Sequence, residues 1–261
     1  MPELLPHLPE DWERGLCVAA HPDDIEYGAA SAVARWTALG KTITYLLATR
    51  GEAGIDTLPP AEAAPLREAE EREGARRVGV DVVEFLGYRD GVVEASLPLR
   101  RDIARAIRRH RPEMLLTGSF EARGPGGGLS NQADHRAVGL AALDAARDAG
   151  NRWIFPELLE EGLQPWPGVR FVAVGGSSTP THGVDVTGEP LRRGIASLEA
   201  HAEYTRGLGG AAFEVDQFLS YFAALGGPAL GVRSAVLLDL YWLQPQGPPP
   251  WVEQETRPEA S

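Results

Sequence analysis

Four short apolar runs, "GLCVAA" (15–20), "TITYLLAT" (42–49), "DVVEFL" (81–86) and "EMLLTG" (113–118), constrain this chain most. Each is too short for a helix core and is bounded by turn residues, so each reads as a buried strand. The stretches between them carry a helical pattern. Ala29, Val33 and Trp36 recur at helical spacing before Gly40, and "LREAEEREGARRVGV" is helical in charge and composition. Leu99, Ile103 and Ile107 mark a third helix, whose basic outer face reads as solvated. From Asp134 the Ala-rich "DHRAVGLAALDAARDAG" is a helix ending at Gly150. Strands alternating with helices specify an α/β fold with a mainly parallel sheet covered on both faces, a three-layer sandwich.

The second half is less regular. "VRFVAVGG", "GVDV" and "SAVLLDLYW" read as further strands, with a helical stripe of Leu191, Ile195, Leu198 and Ala202 between them. A single domain is expected over residues 1–245, followed by a mobile Pro-rich tail, 246–261. A formal net charge of −12 opposes a nucleic-acid partner and an anionic membrane surface. No run of about eighteen apolar residues suggests an integral membrane segment. The lone cysteine, Cys17, excludes an intramolecular disulfide and reads as a small core residue. The acidic, proline-containing N-terminus lacks the pattern of a signal peptide, so a cytoplasmic location is expected.

In open parallel sheets, ligands gather beyond the carboxyl ends of the strands. Four polar loops fall there: "HPDD" (21–24), "RGEAG" (50–54), "GYRDG" (87–91) and "GSFEARGPGGGLSNQADH" (118–135). His21 and Asp24, three residues apart on a tight turn, offer an imidazole nitrogen and a carboxylate oxygen, donors that Zn²⁺ accepts. His135 on the same rim is the best third ligand, and Asp23 is placed to take a proton from an activated water. The competing reading is structural: Asp23 or Asp24 caps the next helix and His21 bonds to the backbone.

"AHPDDIEYG", "TRGEAG", "LGYRDG", "RPEMLLTG" and "ADHRAVGLAAL", in this order, resemble the LmbE-like (PIG-L) family of zinc-dependent N-deacetylases. The likeness runs through roughly residues 15–145 and continues more weakly over 184–204. It implies a Rossmann-like sheet with a zinc site at its carboxyl rim. Other divalent ions such as Fe²⁺ suit the same donors. It further implies an enzyme that removes an acetyl group from an N-acetylated amino sugar or its conjugate by attack of a metal-activated water. By the same resemblance His21, Asp24 and His135 become the metal ligands and Asp23 the general base. Arg50 and Asp90 match positions that in some members hold the amino sugar, though Arg50 also reads as a surface ion-pair residue and Asp90 as the turn former of its Asp-Gly context. Asp134 orients a ring, caps its helix, or both.

Many members read His-Pro-Asp-His where this chain has "QADH" (132–135). Gln132 can donate a hydrogen bond to an oxyanion but cannot act as an acid near neutral pH. His182 or His201 could supply the missing acid, with His201 falling where the family's later helix often carries a histidine. Glu26 and Glu52 sit on the rim as acceptors for sugar hydroxyls or for their own loops. "GPGGG" (124–128) lacks the rest of a phosphate-binding loop and reads as a lid or a plain flexible loop. Two rivals stand beside the deacetylase: an amidase acting on a larger acyl or conjugate amide, and a sugar-binding member weakened by Gln132. A homo-oligomer is compatible with all three.

Overall fold

The computed structural model describes residues 3–124, 129–207 and 214–244. The Pro-rich tail and four residues of "GPGGG" lie outside the described residues. The elements run β1 (Arg14–Ala19), α1 (Asp24–Gly28), α2 (Ala30–Ala38), β2 (Thr42–Leu47), α3 (Pro60–Arg77), β3 (Val82–Phe85), α4 (Leu97–His110) and β4 (Met114–Gly118). They continue as α5 (Ala133–Asp148), α6 (Glu157–Glu160), β5 (Phe171–Gly175), β6 (His182–Asp185), α7 (Glu189–Leu198), α8 (Ala202–Gly207), α9 (Val215–Leu230) and β7 (Ala235–Trp242).

All seven strands form one sheet in the order β3-β2-β1-β4-β5-β7-β6. The first five neighbours pair in parallel, and β7 runs antiparallel to both β5 and β6. Along β1 the side chains alternate between two cores, as a two-residue period demands. Cys17 and Ala19 join Trp12, Val33 and Trp36 on one face. Leu16 and Val18 join Leu99, Ile103, Ile107 and Val138 on the other. Both faces of the strand are therefore buried, which is why it reads as an unbroken apolar run.

The strand order fixes where a ligand can sit. The chain leaves β1 for β2 and β3 on one side, then crosses back to place β4 on the other. Loops beyond β1 and β4 thus diverge and open a crevice at the switch point. Helix α5 closes one wall by packing tightly on the end of β4. A Cβ at Gly139 would lie 2.5 Å from the Gly118 carbonyl oxygen, so only glycine permits that approach.

Two features depart from the expected elements. The stripe from Leu191 to Ala202 is not one helix: α7 ends at Leu198 and α8 begins at Ala202, with His201 in the turn between. Helix α9 has no counterpart in the sequence reading, because Gly226-Gly227-Pro228 near its end looks like a break. Those glycines serve packing: a Cβ at either would lie 2.6 Å from carbonyl oxygens of Val232, Arg233 or Ala235.

Candidate metal centre and its cavity

His21, Asp23 and Asp24 occupy the turn where β1 becomes α1, and His135 sits in the first turn of α5. One donor atom each from His21, Asp24 and His135 lies within 4.8 Å of the others. Hydrogen bonds outside this group decide which ring atoms face inward. His21 Nε2 is 3.1 Å from Asp90 Oδ1 and 3.2 Å from Asp134 Oδ2, so that nitrogen carries the proton. His135 Nδ1 lies 3.2 Å from the Asn131 side-chain oxygen and donates to it. The bare nitrogens are then His21 Nδ1, 3.6 Å from Asp24 Oδ2, and His135 Nε2, 3.1 Å from Asp24 Oδ1. Two ring nitrogens with no partner outside the group and a carboxylate converge. Such a donor set fits a divalent cation.

A second grouping, His21 with Asp90 and Asp134, also brings three donors together. Hydrogen bonding already accounts for it. Asp134 accepts from the backbone N–H of Gly91 at 2.7 Å and of Val93 at 3.0 Å as well as from His21. Asp90 accepts from Ala53 N–H at 2.8 Å. These carboxylates hold the ring rather than compete with it. In the absence of a metal, burial opposes charge on His21, yet Asp24 and Asp90 hold its imidazole up to about 11. Burial would raise Asp24, but His21 and His135 hold it well below the ordinary carboxylate range. His135 is likewise raised by Asp24 against its burial.

Asp23 has a left-handed backbone, φ 90°, uncommon for a residue with a side chain. Its N–H donates to Glu71 Oε2 at 3.0 Å, its Oδ1 lies 3.4 Å from the Arg67 guanidinium, and its Oδ2 has no hydrogen-bond partner. Burial pushes its carboxyl up to about 8, with Arg67 opposing and Asp24 adding to the rise. Arg67 is itself buried, donates to the Pro22 carbonyl and stacks 3.6 Å from the Tyr204 ring centroid. Sequence reasoning missed Arg67 and Asn131. The first is hidden in a run of charged helix residues, and the second precedes the motif it supports.

A cavity of about 530 Å³ opens over this turn and includes His21, Asp23, Asp24, Asp90, Gln132 and His135 in its lining. Tyr27, Arg67 and Tyr204 form further wall. Gln132 is exposed at the N-terminus of α5, with no side-chain capping bond. Other expected residues lie elsewhere. Arg50 is outside the lining and pairs with Glu68. Glu52 accepts from the N–H groups of Arg50 and Asp90, which serves its own loop. Glu26, expected to accept from sugar hydroxyls, and His201, expected over the rim as an acid or a substrate contact, are corrected: both are fully buried behind Asp23 and off the cavity wall. His182 is on β6, against Trp242, also off the cavity. Burial, reinforced by Arg67 and Arg77, pushes His201 down to about 3, so its ring is neutral.

Fold and donor set define a class: a Rossmann-like sheet carrying a His–Asp–His cluster at its carboxyl rim beside a buried aspartate. The chain belongs to the GlcNAc-PI de-N-acetylase (PIG-L) family, which matches residues 16–146. It is 27% identical over 179 residues to the diacetylchitobiose deacetylase of Thermococcus kodakarensis, covering 68% of this chain and 65% of that protein. It is 33% identical to the 1D-myo-inositol 2-acetamido-2-deoxy-α-D-glucopyranoside deacetylase of Kineococcus radiotolerans, over 52% of this chain and 48% of that one. The aligned parts therefore span 48% to 65% of these relatives' length. The N,N′-diacetylchitobiose deacetylase structure from Pyrococcus horikoshii superposes with a TM-score of 0.78 at 24% identity, covering 89% of this chain and 85% of that one. That likeness shows the shared fold. Among the described residues no helix is long and apolar enough to cross a membrane.

Proposed function

We propose that this chain is a divalent-metal-dependent hydrolase that removes an acetyl group from an N-acetylated amino sugar or amino-sugar conjugate. The observation that carries this reading is the convergence of His21 Nδ1, Asp24 and His135 Nε2, with Asp23 beside them and a cavity in front. Two things support the substrate class: family membership, and relatives named for acetamido-sugar deacetylation. Zinc suits the two imidazoles and one carboxylate, and Fe²⁺ would also be accepted. When bound, the ion supplies Lewis acidity toward an amide carbonyl and lowers the pKa of a coordinated water to about 7.

The chain's own groups do the rest. Asp23 takes the proton from the attacking water, and its unpartnered Oδ2 is the atom available to hold it. A carboxyl raised by burial retains that proton long enough to return it to the departing amine. Arg67 keeps the same group from remaining neutral throughout. Gln132 offers its amide N–H to the oxygen that gains charge, where the family more often has histidine. Because His182 and His201 lie off the cavity, proton return falls to Asp23 alone.

Acetate release from N-acetylglucosaminyl conjugates, measured with added zinc and after chelation, tests the proposal. Turnover that needs metal and vanishes in His135→Ala is expected. Faster release from longer acyl chains would favour the amidase. Tight sugar binding, with no amine released from any acyl chain, would leave a recognition protein.

A further inference from the structure

Behind Asp23 three elements bring a second set of donors together. Glu26 comes from α1, Glu71 from α3 and His201 from the turn before α8. The side chains of all three are fully buried. Their donor atoms lie within 4.8 Å of one another. Ordinary hydrogen bonding does not account for them. Glu26 Oε2, Glu71 Oε1 and both ring nitrogens of His201 have no hydrogen-bond partner. Ser197 has one hydroxyl proton for two acceptors, Gly74 O at 2.8 Å and Glu26 Oε1 at 3.2 Å. A buried polar group left without a partner costs about 1–3 kcal/mol, so a cluster with an unpartnered atom on each of its three side chains is suited to bind a ligand.

The spacing says what kind. His201 Nε2 is 3.7 Å from Glu71 Oε2 and 4.0 Å from Glu26 Oε2, too long for hydrogen bonds. Two nitrogen or oxygen donors bound to one zinc ion at roughly 2.0–2.2 Å stand about 3.3–3.8 Å apart in tetrahedral or trigonal arrangements, so these separations close onto an ion with a shift of a few tenths of an ångström. Gly74 packs directly against the group and contributes no side chain to it. A Cβ there would come within 3.2 Å of His201 Nε2 and 3.3 Å of Glu26 Oε1. Asp23, Glu26 and Glu71 are buried together beside Arg67, and carboxyl groups gathered in so small a volume suit a cation.

We propose that Glu26, Glu71 and His201 form a second, fully buried site for a divalent transition-metal ion such as zinc or manganese. The site is structural. Glu71 Oε2 also accepts the Asp23 N–H, so an ion held there fixes the left-handed turn that presents the Asp23 carboxylate to the cavity. This inference does not depend on the reaction proposed above.

The whole chain is saturated with zinc, freed of excess and analysed for bound metal, while zinc-edge anomalous scattering locates it. About two ions per chain are expected, falling to about one in Glu71→Gln, in His201→Asn and in His135→Ala. The ion surviving in His135→Ala would be the buried one, whether or not any deacetylation is detected. Should Glu71→Gln or His201→Asn fail to fold, the anomalous peak among the three side chains of the unaltered protein decides. One ion in that protein, lost entirely in His135→Ala, with no buried peak, would overturn the proposal.

Discussion

Gly139→Ala probes how helix packing positions the rim. The added Cβ would stand 2.5 Å from Gly118 O, whereas ordinary contact begins at 3.4 Å. Helix α5 must therefore retreat by roughly 0.9 Å at that point, a large displacement for a packed interior. His135 lies one turn earlier on the same helix, and its Nε2 now sits 3.1 Å from Asp24 Oδ1. A functional constellation tolerates only about 0.5 Å of misplacement, so metal affinity should fall about 10- to 100-fold. Overpacking of this kind costs about 1–3 kcal/mol, or about 2–10 °C in melting temperature for a chain of this size. Thermal melts of the metal-free protein and zinc competition with a chromophoric chelator measure the two effects. Gly118→Ala is the control, since a Cβ there meets nothing within 4 Å. Native stability and unaltered zinc affinity in Gly139→Ala would refute the idea that this contact sets the position of α5.

Three further outcomes follow from the same geometry. Arg67→Met leaves buried carboxylates without their guanidinium and should destabilise the fold by about 3–5 kcal/mol, read from urea unfolding; a loss below about 1 kcal/mol would contradict that role. Asp23→Asn keeps the shape but cannot take a proton, so kcat should fall at least about 10²-fold while zinc content is unchanged; undiminished turnover would exclude Asp23 as the base. Metal uptake should strengthen as pH rises from 5 to 8, because His21 and His135 have raised pKa values in the metal-free chain and must lose protons to bind. Affinity measured by calorimetry that is flat across this window would show that those rings are not the ligands.

The sheet was legible because buried parallel strands must be short apolar runs, and their ends announce the loops that hold chemistry. His21, Asp24 and His135 could be placed on one rim from that order alone, where donor chemistry suggested a metal and the resemblance decided against the capping reading. The tautomers could not be read, since they rest on Asp90, Asp134 and Asn131, which reach the rings across the fold. Glu71 and Arg67 were invisible for a different reason. In "LREAEEREGARR" eight of twelve residues are charged, so periodicity cannot tell the buried face from the wet one. Polar residues near a site are expected to face it, yet Glu26 and His201 turn inward. Their burial depends on Gly74 and Ser197, contacts that sequence spacing does not encode. Helix α9 was hidden because glycines chosen for close packing resemble glycines that end a helix.

The most direct test of the rim site is a zinc-edge anomalous difference map of the zinc-loaded protein. A peak is expected about 2.0–2.2 Å from His21 Nδ1, from an Asp24 oxygen and from His135 Nε2. A peak held instead by His21 Nε2 with Asp90 and Asp134, or no density between His21 and His135, would contradict the account.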